Sequence, residues 1–198
     1  MPKSFATSAP GRVVLLNGPS SAGKSSLARA FLARQSTPWH YLPVDLVHSI
    51  RSRPAAMADL PTDGTRWQES FRRSRAGYHR MLAGLAQAGN DVVGDHVLSE
   101  PWRIADLLLA LDGIPTLLVH VTASRAELER RERERGDRVP GTALAQVGLV
   151  FGHGDQDLEV DTTELSSEDA AQEVDAVVQS WPQCTAVDRL RRRGHGGG

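Results

Sequence analysis

The chain has 198 residues, of which 40% are hydrophobic and 24% charged, and its formal net charge at pH 7 is −1. This length suits one globular domain with a sizeable core, and the near-zero charge excludes a general attraction to nucleic acid or membrane surfaces. No apolar run approaches the roughly 20 residues of a membrane span, and the amino terminus lacks a signal-peptide pattern. Cys184 stands alone, so no internal disulfide can form. We therefore expect a cytoplasmic protein.

Strands and helices are predicted to alternate along the chain. Short apolar runs predict strands over residues 12–17, 39–45, 91–95, 115–121 and 157–161. Helical periodicity or capping signals predict helices over residues 24–35, 67–88, 99–111, 124–135 and 166–181. This order favours a parallel sheet that is covered on both faces and binds ligands at the carboxyl ends of its strands.

Four segments stand apart from this pattern. Residues 1–11 are expected to be disordered, and residues 184–198 are expected to form a flexible basic tail without nucleic-acid binding. Residues 51–66 are rich in Pro, Ala and Asp and are predicted to be an insertion on the substrate side. Residues 131–142 are predicted to be a lid. The folded domain is then residues 12–183.

Residues 18–25, GPSSAGKS, match the phosphate-binding loop G-x-x-x-x-G-K-[ST]. Its glycines allow a tight turn whose N–H groups converge on phosphate at the start of a helix. Lys24, one of only two lysines, supplies a compact charge, and Ser25 offers a hydroxyl to Mg²⁺. The alternative is a chance glycine-rich turn, but a strand precedes this loop and a helix follows it. The predicted nucleotide contacts in the loop are Gly18, Ser20, Ser21, Ala22, Gly23, Lys24, Ser25 and Ser26.

Two carboxylates follow the second and third predicted strands. Asp95 is predicted to hold Mg²⁺ together with Ser25, and the alternative is a turn or cap aspartate. Asp45 suits the general base that takes the proton of an acceptor hydroxyl, although its spacing alone favours an N-cap of the following helix. The candidate substrate contacts beside Asp45 are His48, Trp67 and His96.

Residues 125–138, RAELERRERERGDR, contain six arginines and five acids. Most of these residues fit a solvated helix face with ion pairs between successive turns. Arg131, Arg135 and Arg138 are the candidates for closing over phosphates and neutralising charge in the transition state.

Five segments, in this order, resemble the chloramphenicol phosphotransferases, which are P-loop kinases that phosphorylate an antibiotic hydroxyl with ATP. They are RVVLLNGPSSAGKSS, PVDL, AGNDVVGDHVL, RERGDRVPG and DLEVDTTELS, and the resemblance covers most of residues 12–180. It implies a nucleotide-kinase-like three-layer α/β fold with a five-stranded parallel sheet and a short arginine lid. It also implies ATP and Mg²⁺ as cofactors.

The resemblance further implies individual roles. Asp45 would be the catalytic aspartate, assisted by Lys24, Arg135 and Arg138. Arg131 and Arg135 would contact the nucleotide phosphates, and Thr162 and Thr163 would lie near the adenine.

The sequence leaves the identity of the phosphoryl acceptor open. His96 replaces a second acid that is usual in the family, and residues 51–66 form a shorter segment than in the chloramphenicol enzymes. The resemblance therefore predicts an O-phosphotransferase that inactivates a chloramphenicol-like or nucleoside antibiotic. The alternatives are a kinase of a sugar, sugar nucleotide or small metabolite, and a nucleotide-dependent binding or switch protein.

Overall fold

The computed structural model describes residues 9–52, 64–136 and 139–195. Five strands form one parallel sheet with the order β2-β3-β1-β4-β5, which confirms the predicted α/β class and sheet. Their ends lie within two residues of the predicted ones. The strands are β1 (Val13–Asn17), β2 (Trp39–Pro43), β3 (Asp91–His96), β4 (Thr116–Thr122) and β5 (Leu158–Asp161).

Helices connect the strands and cover both faces of the sheet. In the described ranges they are α1 (Lys24–Arg34), α2 (Leu46–Ser49), α3 (Thr65–Gln87), α4 (Pro101–Ala110), α5 (Arg125–Arg135), α6 (Thr142–Val147), α7 (Ser167–Gln179) and α8 (Ala186–His195). The short helix α2 is the helix that the N-cap alternative for Asp45 assumed, whereas α6 and the terminal helix α8 were not predicted. None of the described helices is long and apolar enough to span a bilayer.

The central strand β1 is buried along its whole length, and its side chains alternate between two core layers. Val14 and Leu16 pack with α1 and α7, whereas Val13 and Leu15 pack with α3, α4 and α8. A strand that is buried on both faces needs apolar residues at every position. The unbroken apolar run VVLLN therefore predicted β1 correctly.

The strand register determines where the polar loops meet. Asn17 pairs with His96, and Pro43 pairs with Asp95, so β1, β2 and β3 end at the same level. The segments that follow these strands therefore share one edge of the sheet, as the sequence predicted.

The carboxyl-terminal residues form helix α8 instead of the predicted flexible tail. Ala186 and Val187 are buried in the core layer that contains α3 and α4. Arg189 pairs with Asp155 at 2.7 Å, and Arg191 donates to main-chain carbonyls at the end of α4. Arginines attributed to a solvated tail are thus held by the domain. The described part of the chain excludes residues 1–8, 53–63, 137–138 and 196–198. The predictions for residues 1–11, 51–66 and 131–142 therefore lie partly outside the described residues.

Truncation after Gln183 is expected to lower the free energy of unfolding by roughly 2–4 kcal/mol, because it removes two buried side chains and the ion pairs of α8. Urea denaturation measures this loss. Deletion of residues 196–198 is the matched control and is expected to change little. Equal stability of both truncated proteins would contradict the packed-helix interpretation.

Candidate active site

The loop after β1 has the geometry of a phosphate cradle. A Cβ atom on Gly18 would lie 2.1 Å from the carbonyl oxygen of Val121, so only glycine fits this position. Gly23 has a φ of 83°, and Ser21 has a φ of 62°, both in the left-handed region. The backbone therefore folds tightly before α1 begins at Lys24, which directs the positive end of that helix into the loop.

Lys24 lies over its own loop. Its Nζ donates hydrogen bonds to the carbonyl oxygens of Gly18, at 2.9 Å, and Pro19, at 2.6 Å. The side chain is buried, so water screens its positive charge only weakly.

Arg131 fastens the loop to β5. Its guanidinium donates to the carbonyl oxygen of Thr162 at 2.6 Å, to the Thr162 hydroxyl at 3.0 Å and to the carbonyl oxygen of Ser21 at 3.4 Å. The Thr162 hydroxyl in turn donates to the carbonyl oxygen of Ala22 at 3.0 Å. Thr163 accepts a hydrogen bond from the N–H of Ser124. Thr162 thus supports the loop from behind.

Asp95, at the end of β3, accepts three hydrogen bonds. Its carboxylate accepts from the Ser25 hydroxyl at 3.1 Å, the Tyr41 hydroxyl at 2.5 Å and the N–H of Val44 at 3.0 Å. Burial, and then the Asp95 charge, raise the pKa of Tyr41 well above its usual value, so that the phenol remains a donor. One carboxylate therefore joins the phosphate loop to the segment that precedes Asp45.

Asp45 lies at the N-cap position of α2, but its side chain makes no capping hydrogen bond. It is exposed and lines the same cleft as Lys24 and Ser25. The Asp45 side chain therefore does not cap α2, although its spacing alone favoured that role.

The cleft has a volume of about 410 Å³. Among the predicted residues, those that line it are Ser20, Ser21, Gly23, Lys24, Ser25, Ser26, Asp45, Asp95, Arg131 and Arg135. Gly18, Ala22, Thr162 and Thr163 belong to its supporting structure. Arg138 lies outside the described residues.

Two predicted substrate contacts border an adjoining cavity of about 840 Å³. His48 stacks on Phe71 with ring centroids 5.0 Å apart, and Trp67 lies under the guanidinium of Arg51 at 4.8 Å. Phe71 lines both the cleft and this cavity, so the two spaces meet at its ring.

His96 faces away from the cleft, which does not support its prediction as a substrate contact. It is fully buried, and its Nδ1 accepts from the N–H of Val97 at 2.7 Å. Its Nε2 therefore carries the proton and donates to Nε2 of His79 at 3.0 Å. His79 Nδ1 then donates to Asp106 at 2.6 Å. His96 thus belongs to a hydrogen-bond chain in the core.

Sequence reasoning missed two buried arginines in the cleft. Arg75 on α3 and Arg103 on α4 are each only 7% exposed, and both line the cleft beside Asp45. Arg75 differs in this respect from its neighbours Arg72 and Arg73, which are exposed. The available signal was its position three residues before Tyr78, a spacing that places the two side chains on one helix face.

The oxygen donors of Ser25 and Asp95 are of the kind that suits a magnesium ion. Ser25 and Asp95 supply hydroxyl and carboxylate oxygens 3.1 Å apart at the cleft, and oxygen is the donor that Mg²⁺ prefers. Within the described ranges, no three His, Cys, Asp or Glu side chains cluster as metal ligands.

The parallel sheet, the phosphate loop after β1, the carboxylate after β2 and the carboxylate at the end of β3 define a P-loop kinase fold. The family model described as "Chloramphenicol phosphotransferase-like protein" matches residues 11–179. The chain belongs to this chloramphenicol phosphotransferase-like family, which confirms the resemblance, and it is a small-molecule kinase.

Relatives agree with the family assignment, and solved structures agree with the fold. Two proteins from Mycobacterium tuberculosis strains, named "Putative O-phosphotransferase MT2714" and "Putative O-phosphotransferase Rv2636", are each 31% identical over 92% of this chain and 89% of their own length. The Mycobacterium tuberculosis APS kinase CysC, solved with AMPPNP and APS, has a TM-score of 0.62 and 20% identity, and the match covers 87% and 99% of the two chains. Shikimate kinase from Acinetobacter baumannii has a TM-score of 0.59 and 14% identity, with 88% and 95% covered.

The buried histidine pair is expected to make stability depend on pH. Burial lowers the pKa of His79, and burial followed by the charges of His79, Arg75 and Arg103 lowers that of His96 well below 6.5. The unfolded chain then binds protons that the folded chain does not, so stability is lost as pH falls below about 6.5.

Chemical denaturation is expected to show a fall of at least about 1 kcal/mol between pH 7 and pH 5. His96→Gln is expected to reduce this slope, whereas substitution of the exposed His40 by Gln is expected to leave it unchanged. Identical slopes in all three proteins would contradict the linkage.

Proposed function

We propose that this chain transfers the γ-phosphoryl group of ATP to a hydroxyl of a small acceptor, with Mg²⁺ held at Ser25 and Asp95. One observation supports this most directly: Asp45 lines the same cleft as Lys24 and Ser25. A proton acceptor and a phosphate cradle in one cleft suit phosphoryl transfer, since that reaction depends mainly on positioning and charge stabilisation.

Each side chain has a distinct task in this proposal. The loop N–H groups and Lys24 hold the β- and γ-phosphates, and Arg131 and Arg135, which line the same cleft, neutralise their charge. Mg²⁺ bound at Ser25 and Asp95 would offset negative charge on the same phosphates. Thr162 contributes indirectly, because it fixes Arg131 against the loop.

The transfer itself exchanges one phosphorus–oxygen bond for another. Asp45 orients the acceptor hydroxyl and takes its proton as the hydroxyl oxygen bonds to the γ-phosphorus. The bond from that phosphorus to the β–γ bridging oxygen breaks, and ADP leaves with the electron pair.

The acceptor is proposed in two alternative classes. The family description supports an antibiotic, either chloramphenicol-like or a nucleoside, and the fold also occurs in the tunicamycin resistance protein of Deinococcus radiodurans, with a TM-score of 0.56 and 17% identity. A sugar, sugar nucleotide or metabolite is the second class, and the buried Arg75 in the cleft favours its charged members.

Asp45→Asn is expected to lower the transfer rate at least about a hundredfold, because the amide cannot take the hydroxyl proton. Nucleotide affinity, measured by calorimetry with MgAMPPNP, is expected to stay within a few-fold of the wild-type value. Asp112→Asn, on an exposed turn, is the control. Near-wild-type transfer by Asp45→Asn would exclude the proposed base.

Asp95→Asn is expected to raise the Mg²⁺ concentration for half-maximal activity at least about tenfold, since the amide is a weaker partner for a hydrated cation. A Mg²⁺ titration at fixed ATP measures this shift. Asp112→Asn again serves as the control, and an unchanged titration curve for Asp95→Asn would remove Asp95 from the metal site.

A further inference from the structure

Arg75 is the least satisfied cation of the cleft. It is 7% exposed, and its Nε and one Nη atom are buried without a hydrogen-bond partner among the described residues. It also forms no ion pair with a described carboxylate. Burying an unpaired guanidinium is unfavourable, because the charge loses its hydration without gaining a partner.

The immediate surroundings of Arg75 hold it in place without neutralising it. Its guanidinium lies over the ring of Phe71 at 4.7 Å, and Arg103 lies over the same ring at 5.5 Å. Burial, and then the charge of Arg103, lower the pKa of Arg75 to about 10, whereas Asp45 raises it. The guanidinium therefore stays positively charged at neutral pH.

Arg103 is better satisfied but adds to the positive charge. Its terminal nitrogens donate to the carbonyl oxygen of Val97, to the Ser99 hydroxyl and to Glu100, whereas its Nε is buried and unpartnered. These bonds fix the guanidinium beside Arg75. Two rigidly held arginines on one wall form a fork-shaped donor set of the kind that carboxylates and phosphates match.

The location of this pair separates it from the nucleotide cations. Lys24 and Arg131 contact the phosphate loop directly, whereas Arg75 belongs to α3 and shares Phe71 with the cavity that contains His48 and Trp67. Arg75 thus packs on the ring at which the cleft meets the adjoining cavity.

We propose that the acceptor carries an anionic group, a carboxylate or a phosphate, that pairs with Arg75 while its hydroxyl meets Asp45. This inference rests on the proposed function, and it narrows the acceptor to charged molecules. A neutral acceptor would leave the buried guanidinium unpaired, which opposes its binding.

Sulfate is the direct probe of this site. Binding is measured by thermal shift and tryptophan fluorescence at constant ionic strength, on protein saturated with MgAMPPNP and, separately, on Lys24→Gln, which weakens the competing phosphate loop. We expect saturable sulfate binding in both cases. Arg75→Gln is expected to weaken it at least tenfold, and Arg73→Gln, an exposed change two residues away on α3, is expected to leave it unchanged.

Two results would overturn the inference: no saturable sulfate binding, or equal sulfate affinity in wild type and Arg75→Gln. Failure of MgAMPPNP to bind would instead contradict the proposed function, and the Lys24→Gln titration would still test Arg75. Arg75→Met checks folding, because removal of an unpaired buried charge is expected to maintain or raise the melting temperature.

Pairs of neutral and anionic acceptors of similar structure extend the test to the rate of phosphoryl transfer. Uridine is compared with uridine 5′-monophosphate, and glucose with glucose 6-phosphate and gluconate. For any anionic acceptor, Arg75→Gln is expected to raise KM at least tenfold and to change kcat less. Transfer to a neutral acceptor that is unaffected by Arg75→Gln would contradict the proposal.

Discussion

The carboxylate of Asp95 is the point on which the geometry of the cleft depends. Its three hydrogen bonds join the first residues of α1, strand β2 and the main chain just before Asp45. The strand register brings these segments to one level, and the Asp95 bonds then fix their separation. Phosphoryl transfer needs such fixed distances, since misplacement of reacting groups by about 1 Å lowers rates steeply.

The second constraint is positive charge held in a poorly hydrated cleft. Lys24 and Arg75 are both buried there, and removal of water strengthens their attraction to negative groups. Lys24 and Arg131 are oriented by the main chain of the loop, whereas Arg75 is oriented by packing on Phe71. The cleft is therefore preorganised for negative charge at both ends, at a cost in folding free energy.

Local sequence patterns were sufficient for the features set by a few adjacent residues. The apolar run of β1, the glycine spacing of the loop and the carboxylates after β2 and β3 are of this kind, and the structure places all of them at one edge. His96 was misplaced because alternation along β3 directs its side chain into the core opposite Asp95, where His79 from α3 receives it. His79 comes into contact with His96 only in the folded structure.

Packing decided the other differences. Arg75 has the sequence context of a solvated arginine, but the fold encloses its side chain beside Phe71 and Arg103. The polar composition of the last residues concealed Ala186 and Val187, which pack α8 into the core. Charged residues on a helix do not reveal which of them the fold buries.

The most direct test of the central claim is the stoichiometry of phosphoryl transfer. The protein is incubated with MgATP and a panel of phenicols, nucleoside antibiotics, sugar nucleotides and charged metabolites, and acceptor and nucleotide masses are followed together. The account predicts one acceptor that gains a single phosphoryl group for each ADP formed. Release of inorganic phosphate with ADP in equal amounts, and no phosphorylated acceptor across the panel, would contradict it.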